Sequence, residues 1–209
     1  MTFIVLSYKP NIVNLFSHRT KTAFHFAFID VRENKPSQTH IGDPFMIALQ
    51  LTPIKEIMNQ LLIKDSFDIF LLREATLQMG ISYVIDGSYN KDFFTEEELN
   101  EQPKLYDLIS WSEVKSTMLN LIKGKKTPLA FQITFYLSNT QLSSILADEL
   151  SNHDIKALGI NLKYENNRLL LTSAINYSTF TLDKSIEPLL EDYIINFLKS
   201  HSIDFESLL

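Results

Sequence analysis

Apolar side chains recur with a helical period in four segments of the chain. These are TPIKEIMNQLLIK (residues 52–64), SEVKSTMLNLIKGKK (112–126), NTQLSSILADEL (139–150) and KSIEPLLEDYIINFLK (184–199). In the first of them Ile54, Ile57, Met58, Leu61 and Leu62 share one face. Ser112 is predicted to be the N-cap of the second helix. The pattern therefore predicts four amphipathic helices, each with one face on a core.

Between these helices the pattern changes to alternation or to short apolar runs, which indicates strands. Strands are predicted in MIALQL (46–51), FDIFLLREATLQM (67–79), ISYVIDGSYN (81–90), LYDLISW (105–111) and PLAFQITFYLS (128–138). KALGINLKYE and RLLLTSAINYSTFTL flank Asn166-Asn167, and this arrangement predicts a hairpin of two long strands.

The order of these elements repeats. Strand, helix and paired strands occur in residues 46–102 and again in residues 103–209, with the acidic stretch FFTEEELNEQPK between them. We therefore predict an α+β fold in which an antiparallel sheet carries helices on one side and is built from tandem β-α-β-β halves. The sequence identity between the halves is weak, so the repeat is one of architecture.

Residues 1–45 differ from the rest, because they show no sustained helical period and hold three of the five histidines. Ile41-Gly42-Asp43 can be encoded by a purine-rich sequence typical of a ribosome-binding site just upstream of the Met46 codon. We interpret this segment as translated leader sequence, with the native chain starting at Met46. The alternative is a genuine N-terminal extension, packed on the body or mobile.

Composition removes several classes of chemistry. The chain has no cysteine, which excludes disulfides, thiolate metal sites and a cysteine nucleophile, and which fits a reducing compartment. No apolar run reaches the roughly 20 residues of a membrane span, so we expect a cytoplasmic protein without membrane contact. The phosphate-binding loop, the dinucleotide-binding glycine motif and the nucleophile elbow are all absent from the sequence. We expect no cofactor and no metal site.

Carboxylates leave one enzymatic alternative open. Asp86, Asp92 and Asp107 could converge on a divalent metal, although no spacing between them requires it. A small metal-dependent enzyme is therefore kept as a second hypothesis beside a non-enzymatic protein.

Lysines supply the other candidate site. Lys123, Lys125 and Lys126 surround the end of the second predicted helix, whose exposed face also carries Lys115. A structural explanation covers all of them: cations complement the helix dipole, Gly124 suits a left-handed stop and Pro128 prevents continuation. The functional explanation is a basic face that contacts phosphates on a chain of net charge −6.

Two resemblances follow from these segments. LISWSEVKSTMLNLIKGKKTPLAFQITFYLS and LKYENNRLLLTSAINYSTFTLDKSIE resemble an uncharacterised bacterial family, a domain of unknown function, over residues 46–209. Its members begin near the equivalent of Ile47 and keep forms of IKGKKTPL and FTLDKS. This resemblance implies a bacterial cytoplasmic protein and assigns no activity or catalytic residue.

The second resemblance is architectural only. Tandem strand-helix-hairpin units on an acidic chain look like the domains of sliding DNA clamps, in which lysines on helices face the duplex. That likeness adds Lys55 to Lys115 and Lys123 as residues that would face DNA. We therefore predict a non-enzymatic binding or scaffold protein, with duplex DNA or a protein as partner. A protein partner would pack on a strand edge or on the C-terminal helix, and an oligomer is compatible with the sequence.

Overall fold

The computed structural model describes residues 47–101, 108–124, 126–145 and 155–208. The proposed leader, residues 1–45, therefore lies outside the described residues. The strands are β1 (Ala48–Thr52), β2 (Leu71–Gln78), β3 (Ser82–Asp86), β4 (Ala130–Tyr136), β5 (Ile155–Glu165), β6 (Arg168–Tyr177) and β7 (Asp204–Ser207). The helices are α1 (Ile54–Leu62), α2 (Glu96–Glu101), α3 (Trp111–Ile122), α4 (Asn139–Ile145) and α5 (Ile186–Ser200).

The strands form one antiparallel sheet in the order β3-β2-β4-β5-β6-β1-β7. The predicted α+β class with an antiparallel sheet is confirmed. Both predicted halves contribute strands to this sheet, and the order β-α-β-β occurs in each of them. Pairing does not repeat, however, because β4 lies beside β5 whereas β1 lies between β6 and β7, far from β2.

Alternate residues of the sheet define its buried face. Across the sheet, Leu77, Phe131, Ile133, Leu162 and Leu171 are buried on the side where α1, α3 and α5 pack. The opposite face is polar, as expected for an antiparallel sheet with one covered side. No helix in the described part of the chain combines the length and the apolar character needed to cross a membrane.

Aromatic rings fill the centre of this core. Four phenylalanine rings pair with one another at centroid distances of 5.0–6.1 Å: Phe67, Phe70, Phe135 and Phe197. The ring of Trp111 meets that of Phe135 edge to face, with centroids 5.1 Å apart. The indole nitrogen of Trp111 donates a hydrogen bond of 2.8 Å to the carbonyl oxygen of Leu61. That bond satisfies one of the unpaired carbonyls at the end of α1, so the start of α3 is joined to the end of α1.

The β5–β6 hairpin confirms the prediction made from Asn166-Asn167. Both asparagines have positive φ, 51° and 59°, as a two-residue turn of the primed type requires. Such a turn matches the twist of the flanking strands, and it fixes the register of the longest strand pair in the sheet, in which Glu165 is opposite Arg168.

Two local predictions around α3 are wrong. The N-cap is Ser110 and the helix begins at Trp111, whereas the sequence suggested Ser112. The strand predicted over residues 105–111 is reduced, in its described part, to isolated bridges at Leu108 and Ser110. The reason is tertiary: the backbone N–H of Trp111 donates to the carbonyl oxygen of Phe70, and burial of the indole draws the helix start forward.

Candidate functional site: a lysine-rimmed apolar groove

An apolar groove of about 330 Å³ opens between α1 and α3 at one end of the sheet. The lining residues are almost all hydrophobic: Ile54, Met58, Asn59, Leu62, Ile63, Leu119, Ile122, Thr127, Pro128, Phe131 and Tyr164. Its floor includes the stacked rings of Phe131 and Tyr164, whose centroids are 5.2 Å apart. We refer to this feature as the α1–α3 groove.

The sequence of α1 explains why a groove forms here. Ile57 and Leu61 are fully buried on the sheet, while Ile54, Met58 and Leu62 form a second stripe at intervals of four residues. α3 supplies Leu119 and Ile122 to the facing wall, and the chain then leaves the helix through Thr127 and Pro128. The sheet and α3 therefore cover only part of the apolar surface of α1, and the rest of that surface lines the groove.

Four lysines, which we call the lysine rim, are sequence neighbours of residues that line this groove. Each of Lys55, Lys64, Lys123 and Lys126 is exposed and directly adjacent in sequence to a lining residue. Within the described ranges none of these four takes part in an ion pair. One further charged pair lies nearby, Lys163 with Glu165 at 2.9 Å, and it is internally neutral. The rim is therefore basic although the chain carries a net charge of −6.

Lys115 does not line the groove, and its charge is engaged by other groups. Its ammonium group contacts a carboxylate oxygen of Asp65 at 2.8 Å, one of Asp68 at 2.7 Å and the carbonyl oxygen of Lys64 at 3.1 Å. Hydrogen bonds to the two carboxylates raise the pKa of Lys115, and the bond from Lys115 lowers the pKa of Asp65. Lys115 therefore ties α3 to the loop after α1, and its charge is already balanced.

The other lysines predicted from the sequence lie at positions different from that of Lys115. Lys55, at the start of α1, and Lys123 and Lys126, at the end of α3, all flank the α1–α3 groove. Lys125 lies outside the described residues. The expected left-handed stop at Gly124 is wrong: α3 ends because Lys123 turns to an extended conformation, with φ −61° and ψ 110°, and Gly124 has no positive φ.

The metal-dependent enzyme hypothesis relied on Asp86, Asp92 and Asp107, and neither of the two that the structure describes, Asp86 and Asp92, belongs to a possible metal-binding group there. The carboxylate of Asp86 accepts hydrogen bonds from Arg73 at 3.1 Å and from the backbone of Ser88 at 2.9 Å. Partial burial opposes ionisation of Asp86, but the bonds from Ser88 and the charge of Arg73 lower its pKa overall. Asp107 lies outside the described residues, and among the residues that are described no group of three or more His, Cys, Asp or Glu side chains could hold a metal ion.

A family model matches most of this architecture. Residues 60–206, from the second half of α1 to β7, match the model of a family of unknown function, DUF5721. The chain belongs to this family. The match includes Lys64, Lys123 and Lys126, whereas Lys55 precedes it. A search of curated proteins and a search of solved structures found no match.

Sequence reasoning on this DUF5721 chain missed the groove itself. The signal was present in α1, where five apolar residues cover more of the helix than one packed face needs. What could not be seen was that Tyr164, more than 100 positions away, forms part of the floor. Lys64 was also missed, because no helical or basic pattern marks it.

Proposed function

We propose that this chain is a non-enzymatic binding protein and that its binding site is the α1–α3 groove. A single observation supports this: four exposed lysines are sequence neighbours of residues that line one apolar groove on an acidic chain. Open apolar surface of this kind is typical of an interaction site. The rim selects the class of occupant, namely an apolar group that carries negative charge.

The two features contribute differently. Burial of apolar surface supplies affinity at about 25 cal/mol per Å² removed from water. Exposed lysines add little affinity at physiological salt, but they accelerate the encounter with an anionic group and disfavour cationic ones. Binding in the groove should therefore weaken only moderately with salt.

Titration with anilinonaphthalene sulfonate tests the proposal, because this fluorescent probe is both apolar and anionic. We expect saturable fluorescence enhancement that is lost in Ile63→Asp, since Ile63 lines the groove and is 56% exposed, so its replacement leaves the core intact. Val84→Asp is the matched control, because Val84 is also exposed, at 68%, but lies on β3, outside the groove. Equal binding by both variants would overturn the proposal.

Duplex DNA, in a clamp-like association, is a second candidate. The observation in its favour is that Lys55, at the start of α1, and Lys123 and Lys126, at and after the end of α3, are all sequence neighbours of residues that line one groove. Three phosphate contacts would give a slope of about −3 for the logarithm of affinity against that of salt concentration.

Fluorescence anisotropy with a labelled duplex across a salt series measures this slope. Lys123→Glu combined with Lys126→Glu should abolish binding, whereas Lys156→Glu, an exposed lysine at the opposite end of β5, should not. Absence of binding at low salt would remove DNA as a candidate and leave the groove proposal intact.

A further inference from the structure

A second exposed apolar feature lies in the loop that joins β6 to α5, residues 178–185. Phe180 is 90% exposed and Leu182 is 83% exposed, so two large hydrophobic side chains project from one short segment. Neighbouring exposed side chains of this size are uncommon on a chain that works alone and are typical of contact sites. We refer to this segment as the β6–α5 loop.

Local hydrogen bonds hold the β6–α5 loop in shape. The hydroxyl oxygen of Thr181 accepts from the backbone N–H of Asp183 at 3.0 Å, and the carboxylate of Asp183 accepts from the backbone N–H of Ser185 at 2.9 Å. Side-chain bonds of this kind stabilise turns. Phe180 and Leu182 are therefore presented by an ordered segment, which reduces the entropy that docking would cost.

The surroundings of this loop are acidic. Asp183, Glu187 and Glu191 lie at the start of α5, with Lys184 as the one basic residue among them. Burial and the neighbouring carboxylate of Glu187 raise the pKa of Glu191, and burial with the charges of Glu187 and Asp183 raises that of Tyr177. The exposed side chain of Asp183 places a carboxylate in the same loop as these apolar side chains, which is the chemistry that the proposed function assigns to the occupant of the α1–α3 groove.

The two surfaces cannot meet within one molecule. The groove includes Tyr164, at the hairpin end of β5, whereas the loop follows Tyr177, which pairs with Ile155 at the other end of the same strand. At about 3.3 Å per residue, these two ends of β5 are about 30 Å apart. Complementary surfaces at opposite ends of a molecule favour head-to-tail contact between copies.

We propose that the β6–α5 loop of one copy of this chain docks into the α1–α3 groove of a second copy. Phe180 and Leu182 enter the groove between α1 and α3, and the carboxylates at the start of α5 lie against the lysine rim. The inference rests on the proposed function, since it names the occupant of the same groove. Because the copy that donates its loop keeps its own groove open and its partner keeps its own loop open, association continues into a ring or an open chain.

Sedimentation velocity of the full chain over a wide concentration range tests this inference. We expect assembly that grows with concentration and weakens at high salt. Two variants should each prevent it: Phe180→Ser with Leu182→Ser removes the loop contacts, and Ile63→Asp damages the groove. Loss of hot-spot contacts of this kind should raise the dissociation constant at least about tenfold. Phe93→Ser, at an exposed aromatic outside both surfaces, is the matched control and should assemble like the parent.

Mixing the two variants provides the sharper result. The loop variant keeps an intact groove and the groove variant keeps an intact loop, so an equimolar mixture should form heterodimers that go no further. Failure of the mixture to associate, or assembly that survives in either variant, would overturn the inference. A parent chain that stays monomeric but still binds the fluorescent probe through Ile63 would also overturn it, and the groove would then remain a binding site for another partner.

Discussion

Replacement of Lys115 by methionine tests whether this lysine stabilises the fold through Asp65 and Asp68. Methionine keeps an unbranched apolar stem and removes the charge that contacts Asp65 and Asp68. The magnitude follows from the exposure of the three side chains, 15% for Lys115, 22% for Asp68 and 90% for Asp65. The pair with the exposed Asp65 contributes little, because water screens the attraction between the two charges.

The contact with Asp68 dominates the expected cost. One oxygen of Asp68 is already buried without a hydrogen-bond partner, and the variant would deprive the other oxygen of its cation. Loss of a hydrogen bond to a charged group costs about 1.5–3 kcal/mol, and a fully buried pair would cost about 3–5 kcal/mol. Since this pair is only partly buried, we expect a loss of about 2 kcal/mol in the free energy of unfolding at neutral pH.

Urea unfolding followed by circular dichroism measures this loss. Lys123→Met is the matched control, because Lys123 is an exposed lysine at the end of the same helix, and its change should stay within about 0.5 kcal/mol. The pKa of Asp65 is lowered in the fold, so the stability that its ion pair contributes is present above the unfolded pKa and lost as pH falls through the folded one. The difference between parent and Lys115→Met should therefore shrink as pH falls through the folded pKa of Asp65, which lies below the ordinary aspartate value. Equal stability of parent and variant at neutral pH, or equal losses for Lys115→Met and Lys123→Met, would refute the reasoning.

Three further substitutions test other parts of the structure by the same unfolding assay. Burial raises the pKa of Glu187, so its charged form lowers the stability of the fold above the unfolded pKa. Glu187→Gln should therefore raise the free energy of unfolding by about 0.5–1 kcal/mol at neutral pH and leave it unchanged in acid. A constant effect across pH would contradict this. Trp111→Phe leaves the carbonyl of Leu61 without its donor and opens a cavity, so we expect the free energy of unfolding to fall by about 2–4 kcal/mol. A fall of less than about 1 kcal/mol would show that water or repacking replaces the hydrogen bond. Asn167→Gly relieves a positive φ and should stabilise the hairpin, whereas Asn167→Ala should cost about 1 kcal/mol; equal stability of the two would show that the turn differs.

Local pattern was sufficient for most elements of this fold. The alternation in β4, the apolar stripe of α1 and the two asparagines between β5 and β6 each report a structure formed by neighbouring residues. Where a distant contact decided the boundary, prediction from sequence was wrong. The start of α3 is set by the burial of Trp111 beside Phe70 and Phe135, and nothing in the local sequence distinguishes Ser110 from Ser112 as its cap.

The order of the strands was equally inaccessible. The repeated element order predicted paired strands after the helix of each half, as in β2–β3 and β5–β6, but it gave no partner for β1, which pairs with β6 and β7. Strand pairing depends on which apolar faces meet in the core, and many strands of this chain have faces that are equally suited.

The sequence by itself determined the class of this protein: an acidic chain without cysteine, an α+β element order, a hairpin at Asn166-Asn167 and lysines near the end of α3. Only the tertiary structure divided those lysines by role. Lys115 meets Asp65 and Asp68 some 50 positions away, whereas Lys123 and Lys126 flank a groove floored by Tyr164. The physical reason is that a charge acts on whatever lies within a few ångströms of it, and folding, rather than sequence spacing, decides what that is.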